Sequence, residues 1–262
     1  MDFLRLFFKK NKNKEEIYAG IFLKESQGAV HFIRVVGGGY HVIAKKKFVY
    51  TNGWDNLVED IDQAMYTLET QTKQTPKKAI FFIYSHLIDK KAKEIKPVYL
   101  EKIKQLVKNL EFKPLGYIEY HEAVVEALGK KENVPLTAVL IEFDKTNLDV
   151  FIYRAGKLVF EENVSRTESL IEDLTPVFEK ARVTVVIPSR IILYDSSDLS
   201  HESGRIITHR WKEDLFVQTP RVHIMHESDL TDALIKIFIS QIVSKIQYHP
   251  LHHLTFVYWQ IL

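Results

Sequence analysis

Residues 17–50 read IYAGIFLKESQGAVHFIRVVGGGYHVIAKKKFVY, and residues 137–165 read TAVLIEFDKTNLDVFIYRAGKLVFEENVS. Each stretch contains three short segments rich in β-branched and aromatic residues, separated by turn-forming residues and followed by a helical pattern. The same order therefore occurs twice along the chain. This duplication predicts an α/β protein of two similar lobes, each with a mixed sheet that contains a three-strand antiparallel meander and has flanking helices.

Turn residues divide each stretch into strands, because glycines such as Gly28 and those at 37–39 adopt a positive φ at little cost. The predicted strands are 17–24, 29–36 and 40–50 in the first stretch, and 137–143, 148–154 and 157–164 in the second. Helical spacing of apolar residues and continuous apolar runs predict the remaining elements. These are helices at 55–69, 97–110, 121–128, 168–180 and 230–246, strands at 79–84, 114–118, 190–194 and 221–225, and a helical stretch between the last two strands.

A polar segment at 130–134, following a helix that Gly129 is expected to close, predicts the boundary between the lobes. The predicted domains are an N-terminal lobe at 1–134, with a basic and apolar leader at 1–14, and a C-terminal lobe at 135–262. The final segment, HPLHHLTFVYWQIL, stops in apolar residues, and we expect a fuller relative to continue beyond it.

The overall composition excludes several classes of function. With 36 basic and 34 acidic residues the formal charge is only +2, which does not favour a nucleic-acid partner. The chain contains no cysteine, which excludes disulfides, thiolate metal sites and cysteine nucleophiles and fits a cytoplasmic protein. A histidine-rich stretch with His249, His252 and His253 lacks a carboxylate and a helical register, so no metal site is predicted there.

The first ten residues, MDFLRLFFKK, combine apolar side chains with flanking cations. This composition suits the headgroup boundary of a membrane, and it also suits docking to a protein partner. No signal-peptide core or small-residue cleavage site follows. The predicted membrane or partner contact consists of Phe3, Leu4, Phe7 and Phe8.

Four segments of the chain are similar to segments of known proteins. FLRLFFKKNKNKEEIYAGIFLKESQGAV resembles the start of the PilM family of type IV pilus assembly proteins, and PLGYIEYHEAVVEAL is similar to the segment before the second lobe in PilM, FtsA and actin-like chaperones. LIEFDKTNLDVFIYRAGKLVF resembles their second phosphate-binding strand pair, and RIILYDSSDLSHESGRI sits where their adenosine-binding strand would be. The resemblance implies an actin-like (ribonuclease H-like) two-lobe fold.

The nucleotide loops depart from the family pattern. Active members end their first strand in Asp-x-Gly, whose carboxylate serves Mg²⁺ and whose glycine lets backbone amides approach phosphate. Aligned on GIFLKES, those two positions fall on Phe22 and Lys24, and in the second loop they fall on Glu142 and Asp144. At about 4 Å, a carboxylate at the glycine position would repel a phosphate charge by roughly 1 kcal/mol in water and roughly 4 at a dielectric of 20.

The adenosine-binding position is also changed, because its usual Gly-Gly turn falls on Asp195 and Ser196. Only about 25 residues lie between the second meander and the strand at 190–194, where active members insert a helical subdomain that closes over the nucleotide. The resemblance therefore implies a degenerate nucleotide cleft without catalytic residues, formed by Glu142, Asp144, Asp195 and Ser196.

The resulting hypothesis is a non-catalytic, PilM-like cytoplasmic adaptor or scaffold of a type IV pilus, secretion or cell-envelope assembly. We expect a pseudo-ATPase without a cofactor, whose protein partner includes the cytoplasmic tail of a bitopic membrane protein. One alternative is an active Mg-ATP-dependent switch that uses Glu142, Asp144 and Asp195. Another is a membrane-surface protein that acts through its first ten residues at the inner face of the cell membrane.

Overall fold

The structure, a computed structural model, describes residues 15–194 and 199–246, with the backbone alone at 143, 199–202 and 243–246. The strands are β1 Glu16–Leu23, β2 Gln27–Val36, β3 Gly39–Val49, β4 Thr51–Trp54, β5 Lys78–Ile83, β6 Ile88–Asp89, β7 Glu94–Ile95, β8 Lys113–Glu119, β9 Ala138–Phe143, β10 Asn147–Arg154, β11 Lys157–Ser165, β12 Arg190–Tyr194 and β13 Arg221–Met225. The helices are α1 Leu57–Thr72, α2 Pro97–Asn109, α3 Tyr120–Glu132, α4 Leu170–Arg182, α5 Leu199–Thr208 and α6 Glu227–Ile246, with a short 3₁₀ helix at Ser85–Leu87.

Two five-stranded sheets share one strand order. The first is β3-β2-β1-β5-β8, and the second is β11-β10-β9-β12-β13. In each sheet the first three strands form an antiparallel meander, and the next strand pairs in parallel with the first strand of the meander. This confirms the predicted α/β fold with a duplicated mixed sheet.

The described chain divides into two compact units. The first unit contains the chain up to Ile83, Asp89–Ile118 and the part of α6 from Ile235, while the second contains Tyr84–Ile88 and Glu119–Leu234. The predicted lobes at 1–134 and 135–262 were instead defined by dividing the chain once, between the two repeated stretches. That division stays a prediction.

The predicted strands at 190–194 and 221–225 match β12 and β13, and the other predicted strands agree to within two residues. The end predicted for the third helix was wrong. Gly129 lies inside α3, which continues to Glu132, because Asn133 supplies the left-handed cap at φ 54° and its N–H bonds to the Gly129 carbonyl. Most of the predicted linker therefore belongs to a helix.

The two faces of the second sheet have different roles. Val139, Ile141 and Leu148 belong to an apolar cluster with α4 that includes Leu174 and Phe178. Because side chains alternate along a strand, the opposite face carries the even-numbered residues of β9 and the odd-numbered residues of β10. The polar groups described below lie on that opposite face.

Candidate functional site

The shared strand order places two sets of residues at equivalent positions in the two sheets. In the first unit, Phe22 on β1 lies opposite Ala29 on β2 and beside Phe82 on β5. Directly paired residues point to the same face of a sheet, so each set forms one row across three strands. The row in the second unit consists of Glu142 on β9, Asp149 on β10 and Tyr194 on β12.

The row of the first unit is apolar, and packed aromatic rings fill the space around it. The ring of Phe22 stacks on Phe82 with centroids 4.5 Å apart and planes at 20°, and it lies 4.5 Å from the ring of His31. Phe238 of α6 packs edge-on against Phe82 and Tyr18. Phe22 is only 4% exposed, so its ring is part of the core of the first unit.

The loop after β1 is a tight hairpin turn with its own backbone bonds. The Lys24 amide donates to the Gln27 carbonyl at 3.1 Å, and the Tyr50 amide donates to the Ser26 carbonyl at 3.2 Å. A Cβ at Gly28 would lie 2.5 Å from the Phe48 ring, so a side chain there would require that ring to move. The Lys24 amide is thus already hydrogen-bonded within the chain.

In the second unit, Glu142 is an almost completely buried acid, 1% exposed. Its Oε1 accepts a hydrogen bond from the Ser85 amide at 2.6 Å, and its Oε2 accepts one from the Tyr194 hydroxyl at 3.1 Å. Burial, and then repulsion from Asp149, raise the pKa of Glu142 to about 8. Burial also raises the pKa of the Tyr194 hydroxyl well above its usual value, which keeps that group a hydrogen-bond donor.

Two further buried groups lie beside Glu142. Asp149 is 1% exposed and His86 is 4% exposed, and one ligand atom from each of the three side chains lies within 4.8 Å of the other two. The Asn163 side-chain amide donates to Asp149 Oδ1 at 3.0 Å. The arrangement brings one imidazole and two carboxylates together on fixed elements of the second unit.

Asp144 occupies the turn after β9. Its amide donates to the Asn147 carbonyl at 2.9 Å, and its Oδ1 accepts from the Lys145 amide at 2.8 Å. The Arg166 guanidinium donates to the Asp144 carbonyl at 2.9 Å. The side chain is 4% exposed. This carboxylate therefore already accepts a hydrogen bond from a backbone amide of its own loop.

His121, at the start of α3, also faces this region. Its Nε2 lies 3.2 Å from Glu119 Oε2, its Nδ1 lies 2.7 Å from the Tyr153 hydroxyl, and its ring stacks on Phe151 at 4.1 Å. Burial opposes protonation, but the hydrogen bond to Glu119 and the charge of that group raise the pKa of His121 above its ordinary value. A buried, chargeable imidazole thus lies in the same unit as Glu142.

The structure brings only part of the predicted site together. Glu142 and Asp144 lie two residues apart at the end of β9, whereas Asp195 and Ser196 fall outside the described residues. The predicted contact residues Phe3, Leu4, Phe7 and Phe8 also fall outside them. Neither set is tested, so both stay predictions.

Asp149 and His86 were missed by sequence reasoning, although each had a signal. The short turn at 144–146 between β9 and β10 sets Glu142 opposite Asp149, and Asp149 is an acid within an apolar strand. His86 follows the buried run AIFFIY, where a parallel strand ends and polar groups gather in α/β sheets.

No family model matches the chain, and no curated protein matches it. Solved structures do match. EutJ, an ethanolamine utilization protein from Carboxydothermus hydrogenoformans, is 12% identical with a TM-score of 0.51, over 86% of this chain and 90% of that chain. The Ppx/GppA family member from Aquifex aeolicus is 7% identical with a TM-score of 0.51, over 90% and 100%.

These neighbours have the actin-like ATPase fold, and the present chain has it too. The likeness of fold extends to a structure that contains PilM. A structure of the PilM-PilN type IV pilus biogenesis complex is 9% identical with a TM-score of 0.51, over 89% of this chain and 99% of that chain. At these identities the match shows the fold.

Proposed function

We propose that this chain is a non-catalytic, PilM-like adaptor that binds protein partners in a type IV pilus, secretion or cell-envelope assembly. The observation that carries the proposal is the buried aromatic packing in the row of the first unit. Phe22, stacked on Phe82, stands where an active relative needs a carboxylate for Mg²⁺. Without that carboxylate the first unit has no group at this position to hold the metal of Mg-ATP, which supports a pseudo-ATPase.

The second loop supports the same proposal. Asp144 supplies a negative side chain that already accepts a hydrogen bond from the Lys145 amide. A phosphate would have to displace this internal carboxylate and would meet its charge. The residues present therefore do not fit Mg-ATP in the usual arrangement.

The adaptor role draws on the comparison with the PilM-PilN complex, in which a protein of this fold is bound to a partner. In the described residues no helix is long and apolar enough to cross a membrane. We propose a cytoplasmic location at the inner face of the cell membrane, with the cytoplasmic tail of a bitopic membrane protein as the partner. Phe3, Leu4, Phe7 and Phe8 are the proposed contacts.

Calorimetry with Mg-ATP tests the pseudo-ATPase part on the full chain. We expect no binding heat up to millimolar nucleotide. A dissociation constant in the micromolar range would overturn this part and favour the alternative, an Mg-ATP-dependent switch. ADP and ATP without Mg²⁺ serve as controls, because binding that does not need the metal would not indicate the switch.

The partner part has its own test. The cytoplasmic segments of single-span membrane proteins encoded beside this chain are made as peptides and titrated against it. We expect one of them to bind with micromolar or better affinity, and scrambled peptides of the same composition not to bind. If none binds, and if vesicles of anionic lipid bind the intact chain but not one with Phe3, Phe7 and Phe8 changed to serine, the membrane-surface alternative replaces the adaptor.

A further inference from the structure

We propose that the second unit holds a resident first-row divalent metal ion of the Zn²⁺ class, ligated by His86, Glu142 and Asp149. The proposal is independent of the adaptor role and of nucleotide. It rests on the position of three donor atoms within 4.8 Å of one another, each on a side chain that is at least nine-tenths buried.

The donor set selects the kind of ion. One imidazole with two carboxylates suits Zn²⁺, Fe²⁺ or Co²⁺, whereas Mg²⁺ and Ca²⁺ prefer oxygen alone. A tetrahedral Zn²⁺ with bonds of about 2.1 Å holds its ligands roughly 3.4 Å apart. The three donor atoms, within 4.8 Å of one another, are therefore at most about 1.4 Å wider apart than such an ion requires.

The carboxylates are oriented by neighbours, as metal ligands usually are. The Ser85 amide and the Tyr194 hydroxyl hold the two oxygens of Glu142, and the side chain of Asn163 holds Asp149. These bonds fix the direction in which each carboxylate presents its remaining lone pairs. Tyr194 and Asn163 are positioning residues in this scheme.

Ser85 supplies a second, independent observation. Its side chain is 3% exposed, and among the described residues its Oγ has no hydrogen-bond partner. This Oγ is three bonds from the amide nitrogen that lies 2.6 Å from Glu142, so it lies close to the carboxylate. A buried hydroxyl without a partner is costly, and a water molecule in the fourth position of the metal would give it one.

The charges agree with a cation. Glu142 and Asp149 are adjacent buried acids whose ionised forms repel each other, and two buried like charges are unfavourable unless a positive charge lies between them. A divalent ion neutralises both. The alternative without metal is a pair that shares one proton, and the experiment below separates the two.

The metal content of the protein decides between a bound metal ion and a pair of carboxyl groups that shares one proton. The full chain is freed of metal with a chelator, incubated with Zn²⁺ or with Mg²⁺ and desalted, and its bound metal is measured by mass spectrometry. We expect one equivalent of Zn²⁺ to be retained, no Mg²⁺, and a higher melting temperature with Zn²⁺. With Co²⁺ we expect the visible absorption of a low-symmetry, four- or five-coordinate site. If no Zn²⁺ is retained, the proton-sharing pair is correct and the proposal fails.

Variants locate the ion. We expect His86→Asn and Asp149→Asn each to weaken Zn²⁺ binding by at least 100-fold. The milder Tyr194→Phe, which removes only a positioning hydroxyl, should weaken it by about 10- to 100-fold and shift the Co²⁺ spectrum. The matched control is His31→Gln, a buried histidine of the first unit, which should bind as the unchanged chain does.

A second control concerns the histidines near the end of the chain. In the full chain, changing His249, His252 and His253 together to alanine should leave the retained equivalent in place. If that variant loses the metal while His86→Asn keeps it, the ion belongs to the tail and the proposal is overturned. A result with Mg-ATP bears only on the proposed function, so the two can fail separately.

Discussion

The two units have the same strand order and differ in the row that crosses the centre of each sheet. In the first unit this row is held by stacked aromatic rings, and in the second by acids with directed hydrogen bonds. The same strand order therefore accommodates either an apolar row or a row of acids, provided that the buried carboxylates have hydrogen-bond donors. The equivalent residues are Phe22, Ala29 and Phe82 in the first unit and Glu142, Asp149 and Tyr194 in the second.

The difference teaches how the same position in two similar sheets serves apolar packing in one unit and a buried polar cluster in the other. The buried ring of Phe22, stacked on Phe82, contributes apolar core packing to the first unit. Keeping acids buried in the second unit has an energetic cost, which the Ser85 amide and the Tyr194 hydroxyl offset in part. A cation bound at the second row would offset the remaining cost.

The largest effect is expected when the first row is given the family's carboxylate. Phe22→Asp removes a buried ring and introduces a charge without a cation, which should destabilise the first unit by more than about 4 kcal/mol. Phe22→Leu, the control, should cost only about 1–2 kcal/mol. Hydrogen exchange of β1 and β9 peptides measures the two units separately. Equal stability of both variants would show that the first row still accommodates an acid.

The converse change is made in the second row. In chelator-treated protein, Glu142→Ala leaves the Ser85 amide and the Tyr194 hydroxyl without their acceptor and opens a cavity, so we expect a loss of about 2–4 kcal/mol. Glu142→Gln should cost less than about 1 kcal/mol, because its amide oxygen accepts from Ser85 and its NH₂ group donates to the Tyr194 oxygen. Urea unfolding compares them, and similar losses would mean that these bonds contribute little.

Most of the duplicated framework could be predicted from the sequence, because alternation, glycine turns and helical spacing are local signals. The end of α3 could not, because Asn133 rather than Gly129 takes the left-handed cap and both residues suit that role. Phe22 and Glu142 were identified by alignment with the family's loops. The position of His86 beside Glu142 could not be predicted in the same way, because His86 follows β5 and lies 56 positions before Glu142 in the chain.

A smaller effect concerns pH. The folded state raises the pKa of His121, so its protonated form contributes stability that is fully present below about pH 6.5 and is lost as pH rises through the raised value. One proton contributes a slope of at most about 1.4 kcal/mol per pH unit. The charged or titratable groups that face this imidazole are Glu119, Glu122, Glu142 and Tyr153.

His121→Gln should therefore flatten the fall of stability above pH 6.5. Glu142, with its pKa of about 8, also loses its contribution as pH rises, so the measure is the difference between the variant and the unchanged chain across one series of urea unfolding curves. Parallel curves at every pH would mean that His121 does not bind a proton more tightly in the folded protein than in the unfolded one.

The smallest effect comes from the charge in the second loop. Asp144→Asn keeps the size of the side chain and an oxygen that can accept from the Lys145 amide, so it should cost less than about 1 kcal/mol. The change removes the negative charge that opposes a phosphate, yet Mg-ATP should still give no heat, because Phe22 leaves the metal without its carboxylate. Asp89→Asn is the matched control, since Asp89 also accepts from loop amides, those of Lys91 and Ala92, but in the first unit. If Asp144→Asn alone gained micromolar nucleotide binding, one charge in the second loop, and not the aromatic row, would be what keeps this chain from binding ATP.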